Sequence, residues 1–332
     1  MSSIGSRAAR ALILAAAIPA AAAGQADSTR RDSASADSSR APTTAADSTP
    51  RRADAASIVV STRPTRPTPG TLLRVSLVLP PGARVVGGEL AGEPLHFAPD
   101  SSGSERALGG VPVDASDSLP LRLWLDVGGA VDTVVRRIAL APMRKATERL
   151  TVARTFGQPP DSATTARIEA ERLKALAVSR RAHETPQLWT APFRRPRASV
   201  VTSTFGTGRS FNGRVTARHL GVDFRGAEGA PVHAANRGVV ALVDSFHLAG
   251  NVVYLDHGAG LVTAYFHLSR TDVAPGDTVS RGQLIGAVGA TGRVTGPHLH
   301  WVARYGAVTV DPMGLLILDA PPKRSDAAPG GR

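Results

Sequence analysis

Two histidines near the end of this sequence are spaced so that their side chains can act together. In the pentapeptide "PHLHW", one residue separates His298 from His300. Because successive side chains of a β-strand point to opposite faces, both imidazoles would lie on one face, with Leu299 packed behind them. That arrangement suits the binding of a metal ion or the transfer of protons.

A second segment, "HLGVD", has the same alternation of polar and apolar positions. On an extended chain, His219, Gly221 and Asp223 would face one side. The intervening Leu220 and Val222 would then face the core. Because Gly221 has no side chain, it would leave the space between the imidazole and the carboxylate open for an ion.

Together the two segments offer a donor set that zinc uses in enzymes. His219, Asp223 and one imidazole of "HLH" provide two nitrogens and one carboxylate, and they leave a fourth tetrahedral position free for water. The chain has no cysteine, which excludes disulfides, a thiolate zinc site and a cysteine nucleophile. Seven of the nine histidines lie between His219 and His300, so a histidine-based site is the leading hypothesis.

The charge of the chain is strongly positive. It has 39 Lys and Arg against 27 Asp and Glu, which gives a formal net charge of +12. This charge favours retention near an anionic envelope surface. The alternative is an arginine-rich genome, because only three of the basic residues are lysines. No basic helix with interleaved aromatic residues is present, so no nucleic-acid partner is predicted.

The N-terminal sequence predicts export. Residues 1–23 combine Arg7 and Arg10 with an apolar run that ends in small residues, a pattern typical of a signal peptide. The run is too short for the ~20 apolar residues of a spanning helix. An uncleaved N-terminal anchor is the alternative. Residues 24–56 lack large apolar side chains, so we expect a disordered linker.

Residues 57–143 have the period-two pattern of β-strands, separated by turn signals rich in Gly and Pro. The chain is thus expected to be mainly β, with an N-terminal immunoglobulin-like β-sandwich. The predicted inward-facing residues of two of its strands are Leu73, Val75, Leu77 and Leu79, and Leu121, Leu123, Leu125 and Val127.

A helical linker is predicted over residues 144–198. Its helix would begin after Asp161, whose side chain can cap the first turn, and end near Arg181. Residues 199–318 then form a second β-rich region of short strands and glycine turns, and residues 319–332 are expected to be a disordered tail.

This second region resembles peptidase family M23, the lysostaphin-like zinc peptidases of the bacterial cell wall. The segments "HLGVD", "GNVVYLDHG", "YFHLS" and "VAPGDTVSRGQLIGAVGATGRVTGPHLHW" agree with the family in order and spacing, over about residues 199–315. The resemblance implies a lysostaphin-like antiparallel β fold with one zinc ion per chain. It implies that the zinc ligands are His219, Asp223 and His300, and that the catalytic residues are His267 and His298.

The function implied is hydrolysis of peptide bonds in peptidoglycan stems or cross-links, by zinc-activated water with acid and base assistance from histidine. The expected location is the periplasm or cell envelope, or outside the cell. One alternative is a catalytically silent module that activates other wall hydrolases. Another is hydrolysis of a glycine-rich protein. Asn212 is interpreted as a turn residue, although in this family an upstream Asn can block the zinc site.

Overall fold

The computed structural model describes residues 58–100, 102–143 and 146–317. The predicted signal peptide (residues 1–23), disordered linker (24–56) and tail (319–332) lie outside the described residues. The boundaries of the intervening domains stay predictions. Within the described ranges, no helix has both the length and the apolar character that a membrane span requires.

Two four-stranded antiparallel sheets form the N-terminal part. Their strands in chain order are β1 (Val59–Arg63), β2 (Leu72–Val78), β3 (Ala83–Leu90), β4 (Glu93–Pro94), β5 (Ala98–Pro99), β6 (Glu105–Gly110), β7 (Ser118–Val127) and β8 (Ala130–Ala139). One sheet has the order β1-β2-β6-β5 and the other the order β4-β3-β7-β8. The predicted alternation is confirmed for six of the eight residues, since Leu73, Val75, Leu77, Leu121, Leu123 and Leu125 are buried. Leu79, which follows β2, and Val127, at the end of β7, are only half-buried.

The connecting region contains strand β9 (Thr147–Leu150), a short 3₁₀ helix (Arg154–Phe156) and the long helix α1 (Ser162–Arg181). Asp161 caps α1 as expected, since its Oδ1 accepts a hydrogen bond from the Thr164 amide at 2.7 Å. One face of α1 packs through Ala175 and Val178 against apolar residues of the C-terminal sheet.

The C-terminal part consists of short antiparallel strands and a final 3₁₀ helix (Pro312–Leu316). The strands are β10 (Val201–Ser203), β11 (Gly208–Phe211), β12 (Val215–Arg218), β13 (Val222–Arg225), β14 (Pro231–His233), β15 (Gly238–Phe246), β16 (Gly250–Gly258), β17 (Leu261–Thr271), β18 (Thr278–Val279), β19 (Leu284–Val288), β20 (His298–Tyr305) and β21 (Val308–Val310).

These strands form two sheets. The large one has the order β10-β13-β20-β17-β16-β15-β18, with β14 on β19, β19 on β17, and β21 on β20. The small one has the order β12-β11-β9, in which β9 pairs with β11 in parallel. A strand from the connecting region therefore borders the C-terminal fold.

The two faces of the large sheet have different partners. Tyr265 and Trp301 are opposite each other on β17 and β20 and are buried in the main core. Val302 lies on the other face, in the apolar cluster that packs under α1. Because side chains alternate along β20, His298 and His300 share the face of Val302, beyond the part that α1 covers.

Candidate functional site

Three predicted site residues meet at one point. Asp223 on β13 is the cross-strand partner of His300 on β20, and His219 comes from the loop between β12 and β13. His219 Nε2 lies 3.0 Å from Asp223 Oδ1 and 2.9 Å from His300 Nδ1. His300 Nδ1 lies 2.7 Å from the same carboxylate oxygen. In the described part of the chain, these residues are the single group of three that can hold one metal ion.

The chemistry of these atoms fits a cation. His219 Nδ1 lies 2.9 Å from the carbonyl oxygen of Thr204, so its N–H donates to that carbonyl. In the neutral imidazole, Nε2 then carries a lone pair and faces the Asp223 oxygen as one acceptor facing another. A shared divalent ion resolves that repulsion. Two nitrogens and one carboxylate oxygen are donors that zinc accepts in sites that keep a position for substrate.

Burial and mutual contact set the charges of the group. Burial alone would raise the pKa of Asp223, but the contacts with His219 and His300 outweigh it and hold the pKa below its usual range. Burial lowers the pKa of His300 to about 4. The carboxylate is therefore ionised and the His300 ring neutral near pH 7, as metal ligation requires.

A set of polar side chains supports the candidate ligands from behind. Ser203 Oγ donates to Glu148 Oε1 at 2.9 Å and lies 3.1 Å from His219 Nδ1. Arg209 donates to Ser203 Oγ at 3.0 Å and also to Asp223 Oδ2. Such contacts fix the orientation of metal ligands. No role was predicted for Glu148, Ser203 or Arg209, because nothing in their spacing along the sequence relates them to His219 or Asp223.

The two histidines predicted to be catalytic stand beside this group. Their rings are 4.9 Å apart between centroids, and His298 Nε2 lies 3.7 Å from Asp223 Oδ1. His298 Nδ1 donates to the carbonyl of Gly296, and His267 Nδ1 donates to that of Thr291, both at 2.8 Å. In the neutral rings, both Nε2 atoms are thus left as proton acceptors.

His267 reaches the site through an unusual backbone conformation. Its neighbour Phe266 is the cross-strand partner of His300, and their rings stack at 5.3 Å between centroids. In a regular strand His267 would point to the opposite face. Its φ of 63°, at a point where the β16–β17 pairing shifts register, turns the ring back to the face of His300 instead.

The "HLGVD" segment differs from its predicted geometry in one respect. β13 begins only at Val222, and Leu220 is 37% exposed rather than packed in the core. The prediction for Leu220 was wrong because residues 219–221 form the bend that carries the chain from the small sheet to the large one. Gly221 gives room to the His300 ring, since a Cβ there would lie 2.6 Å from that ring. The open space for an ion between His219 and Asp223 stays a prediction.

Three other polar residues lie apart from the candidate ligands. The Asn212 side chain accepts from the Val152 amide at 3.0 Å and donates to its carbonyl at 3.1 Å, which supports the turn interpretation. His257 is fully buried between the Arg237 carbonyl and a threonine hydroxyl. His183 contacts Glu93 and a second imidazole at the sandwich.

Curated relatives align with about a third of this chain. Peptidoglycan DD-endopeptidase ShyA of Vibrio cholerae is 42% identical over 113 residues, which is 33% of this chain and 26% of ShyA. DD-carboxypeptidase/endopeptidase Mpg of Neisseria meningitidis is 40% identical over 99 residues, which is 30% of this chain and 23% of Mpg. The chain thus spans about a quarter of the length of these relatives.

A solved structure resembles more of the chain. The crystal structure of a putative peptidase M23 from Pseudomonas aeruginosa aligns with 76% of this chain and 96% of its own, at 27% identity and a TM-score of 0.59. The sequence model of peptidase family M23 matches residues 217–312, the range that contains all five predicted site residues. Residues 217–312 of this chain are therefore a domain of peptidase family M23.

Proposed function

We propose that this protein is a zinc-dependent endopeptidase that hydrolyses peptide bonds in the cross-links or stems of peptidoglycan. The observation that carries the proposal is the convergence of His219, Asp223 and His300 on one point, with two further imidazoles alongside. The names of the relatives add support for the substrate class and favour a bond of the D,D type. They also favour the periplasm or cell envelope as the location.

The candidate ligands would hold one zinc ion, which supplies Lewis-acid polarisation and a water of lowered pKa when it is bound. His298 then acts as the general base, because its Nε2 is free of a proton in the neutral ring and lies beside the ligand set. The same Nε2 returns the proton to the amine nitrogen as the peptide bond breaks.

His267 has a second role. Its Nδ1–H is engaged with the Thr291 carbonyl, so only Nε2 can serve the substrate. Burial and the neighbouring His298 and His300 rings hold the pKa of His267 well below its usual range, so near pH 7 this Nε2 is a proton acceptor. It can donate to the oxyanion on the scissile carbonyl only while it holds a proton taken from the attacking water. Both rings have the same tautomer, so the roles of base and oxyanion donor can be exchanged between them.

A groove beside the ligands gives the substrate peptide room. Its volume is about 380 Å³, and its walls include Leu150 of β9, Phe211 of β11 and Pro297. This volume lies within the usual range for binding sites of small ligands. Two sheets border the groove, a setting in which an extended peptide is bound along its backbone.

The second candidate function is a silent module that activates other wall hydrolases. The complete set of candidate ligands and proton acceptors argues against it, because a module without turnover has no need of them.

The decisive experiment incubates zinc-loaded full-length protein with purified sacculi, with and without a chelator, and identifies new peptide termini by mass spectrometry. An Asp223→Asn variant serves as the matched control. Chelator-sensitive release of peptides by the wild type supports the proposal. Release that is insensitive to chelation contradicts zinc chemistry, and absence of release favours the silent module.

A further inference from the structure

Two arginines extend the candidate site along the groove. Arg225 lies two residues after Asp223 on β13, on the same face, and is the cross-strand partner of His298. Arg293 lies in the loop before β20, with its guanidinium carbon 4.0 Å from the centre of the Phe211 ring. Both arginines line the groove that also contains Asp223 and His298.

Neither arginine is neutralised within the described ranges 58–100, 102–143 and 146–317. Arg209 is paired there with Asp223 and Glu148, whereas Arg225 and Arg293 form no ion pair with a carboxylate. Arg225 is exposed to solvent, but Arg293 is half-buried. Burial and the charge of Arg209 lower the pKa of Arg293. A guanidinium nevertheless stays protonated, so an uncompensated cation faces the groove.

The charge of the whole groove points the same way. Its lining contains three arginines and two carboxylates, and one of those carboxylates is the candidate zinc ligand Asp223. The other, Glu148, is engaged with Ser203 and Arg209. The groove therefore favours an anionic ligand. Guanidinium groups bind carboxylates through two parallel hydrogen bonds, with matching geometry.

We propose that Arg225 and Arg293 form a subsite for a carboxylate of the substrate peptide, one or two residues from the scissile bond. The inference rests on the proposed peptidase function. Two residues along β13 correspond to about 7 Å, and an extended peptide advances about 3.3–3.6 Å per residue. The subsite thereby makes the enzyme selective for acidic peptides, through either a terminal or a side-chain carboxylate.

Hydrolysis kinetics test the subsite. The substrates are a cross-linked peptide with one free terminal and one free side-chain carboxylate, the two forms in which one of these carboxylates is amidated, and the form in which both are amidated. For the wild type, double amidation is expected to raise KM about tenfold to a hundredfold, with kcat changed less than threefold. The singly amidated form whose KM rises as much as that of the doubly amidated form identifies the carboxylate that the subsite binds. If double amidation leaves KM unchanged, the subsite is refuted.

The variants Arg225→Gln and Arg293→Gln should lose the preference for the free acid while they retain hydrolysis of the amidated peptide. Arg237→Gln is the charge-matched control, because Arg237 is exposed and lies outside the groove. Arg293→Lys keeps the charge but not the planar fork, so it should restore only part of the preference. Thermal melts identify any loss of folding from the Phe211 contact. If both Gln variants keep the wild-type preference, the arginines have no such role.

A binding measurement separates this inference from the proposed function. Calorimetry with the free-acid and amidated product peptides, on chelator-treated full-length protein, requires no turnover. Free-acid binding that weakens at least tenfold in the two Gln variants supports the subsite even if no sacculus is cleaved. Cleavage of sacculi with equal binding of acid and amide supports the peptidase and overturns the subsite.

Discussion

Two clusters in this molecule each contain two imidazoles and one carboxylate, and they differ in geometry. The convergent cluster consists of His219, Asp223 and His300; the linear cluster consists of Glu93, His183 and His96. In the linear cluster, His183 Nε2 contacts the carboxylate and its Nδ1 contacts His96, each at 2.8 Å. One proton between the two atoms is enough to make each of these contacts a hydrogen bond. In the convergent cluster, one atom from each residue points to a common centre, and a cation satisfies all three.

The difference shows that residue types do not define a metal site. The linear cluster joins the sandwich to the C-terminal part, because Glu93 on β4 also accepts from the Ala307 amide at 3.0 Å. Its rings stack with centroids 5.1 Å apart. The linear cluster therefore has the contacts of a structural element, whereas the convergent cluster has the geometry of the proposed metal site. Three predictions test this contrast, and a fourth concerns a buried histidine outside both clusters.

The largest effect is expected from the convergent cluster itself. Asp223→Asn replaces the anionic oxygen ligand by a neutral amide, and His300→Ala removes a nitrogen donor. Zinc affinity should therefore fall by more than the 10–100-fold typical of supporting residues, and turnover should be undetectable. Zinc content by mass spectrometry of the metal, with peptide release, is the measurement. His183→Ala is the control and should keep its zinc. If the Asp223→Asn variant still bound one zinc ion per chain, the two clusters would not differ in metal binding as proposed.

The adjacent proton acceptors should separate chemistry from metal binding. His298→Ala and His267→Ala are expected to lower kcat by about 10²–10⁴ and to leave zinc content unchanged. Steady-state kinetics and metal analysis of the same preparations provide the measurement. A His298→Ala protein without zinc would instead make this imidazole a ligand.

In the linear cluster, a change should affect stability alone. Glu93→Ala leaves the Ala307 amide and His183 without their buried partner, at a cost of about 1–3 kcal/mol in the free energy of unfolding. Glu93→Gln retains an acceptor and a donor, so its loss should be smaller. Urea unfolding measures both. A loss of zinc in either variant would show that the two clusters are coupled.

The smallest effect at neutral pH concerns His257, which belongs to neither cluster and changes stability only in acid. Burial lowers its pKa to about 4, against 6.5 in the unfolded chain. The unfolded state then binds the proton more readily, so stability is complete above pH 6.5 and decreases as the pH falls toward 4, by up to about 3 kcal/mol. His257→Gln should reduce this dependence, as measured by unfolding with chelator present. If the pH dependence of stability is the same in His257→Gln, then His257 is not its source.

The sequence predicted much of the fold and of the candidate site. The alternation in β2 and β7 and the Asp161 cap of α1 required only local geometry, and both are confirmed. The shared face of His298 and His300 also follows from the strand period. These features depend on residues a few positions apart, whose relative directions are set by covalent geometry.

Tertiary structure decided which distant residues meet. Strand pairing placed Asp223 opposite His300. The left-handed backbone conformation of His267 turned its own ring toward them. The support from Glu148 and Arg209 depends on β9, which joins β11 from a remote part of the chain. No spacing in the sequence encodes such contacts, because long-range pairing is chosen by the burial and hydrogen bonding of the whole fold rather than by neighbouring residues.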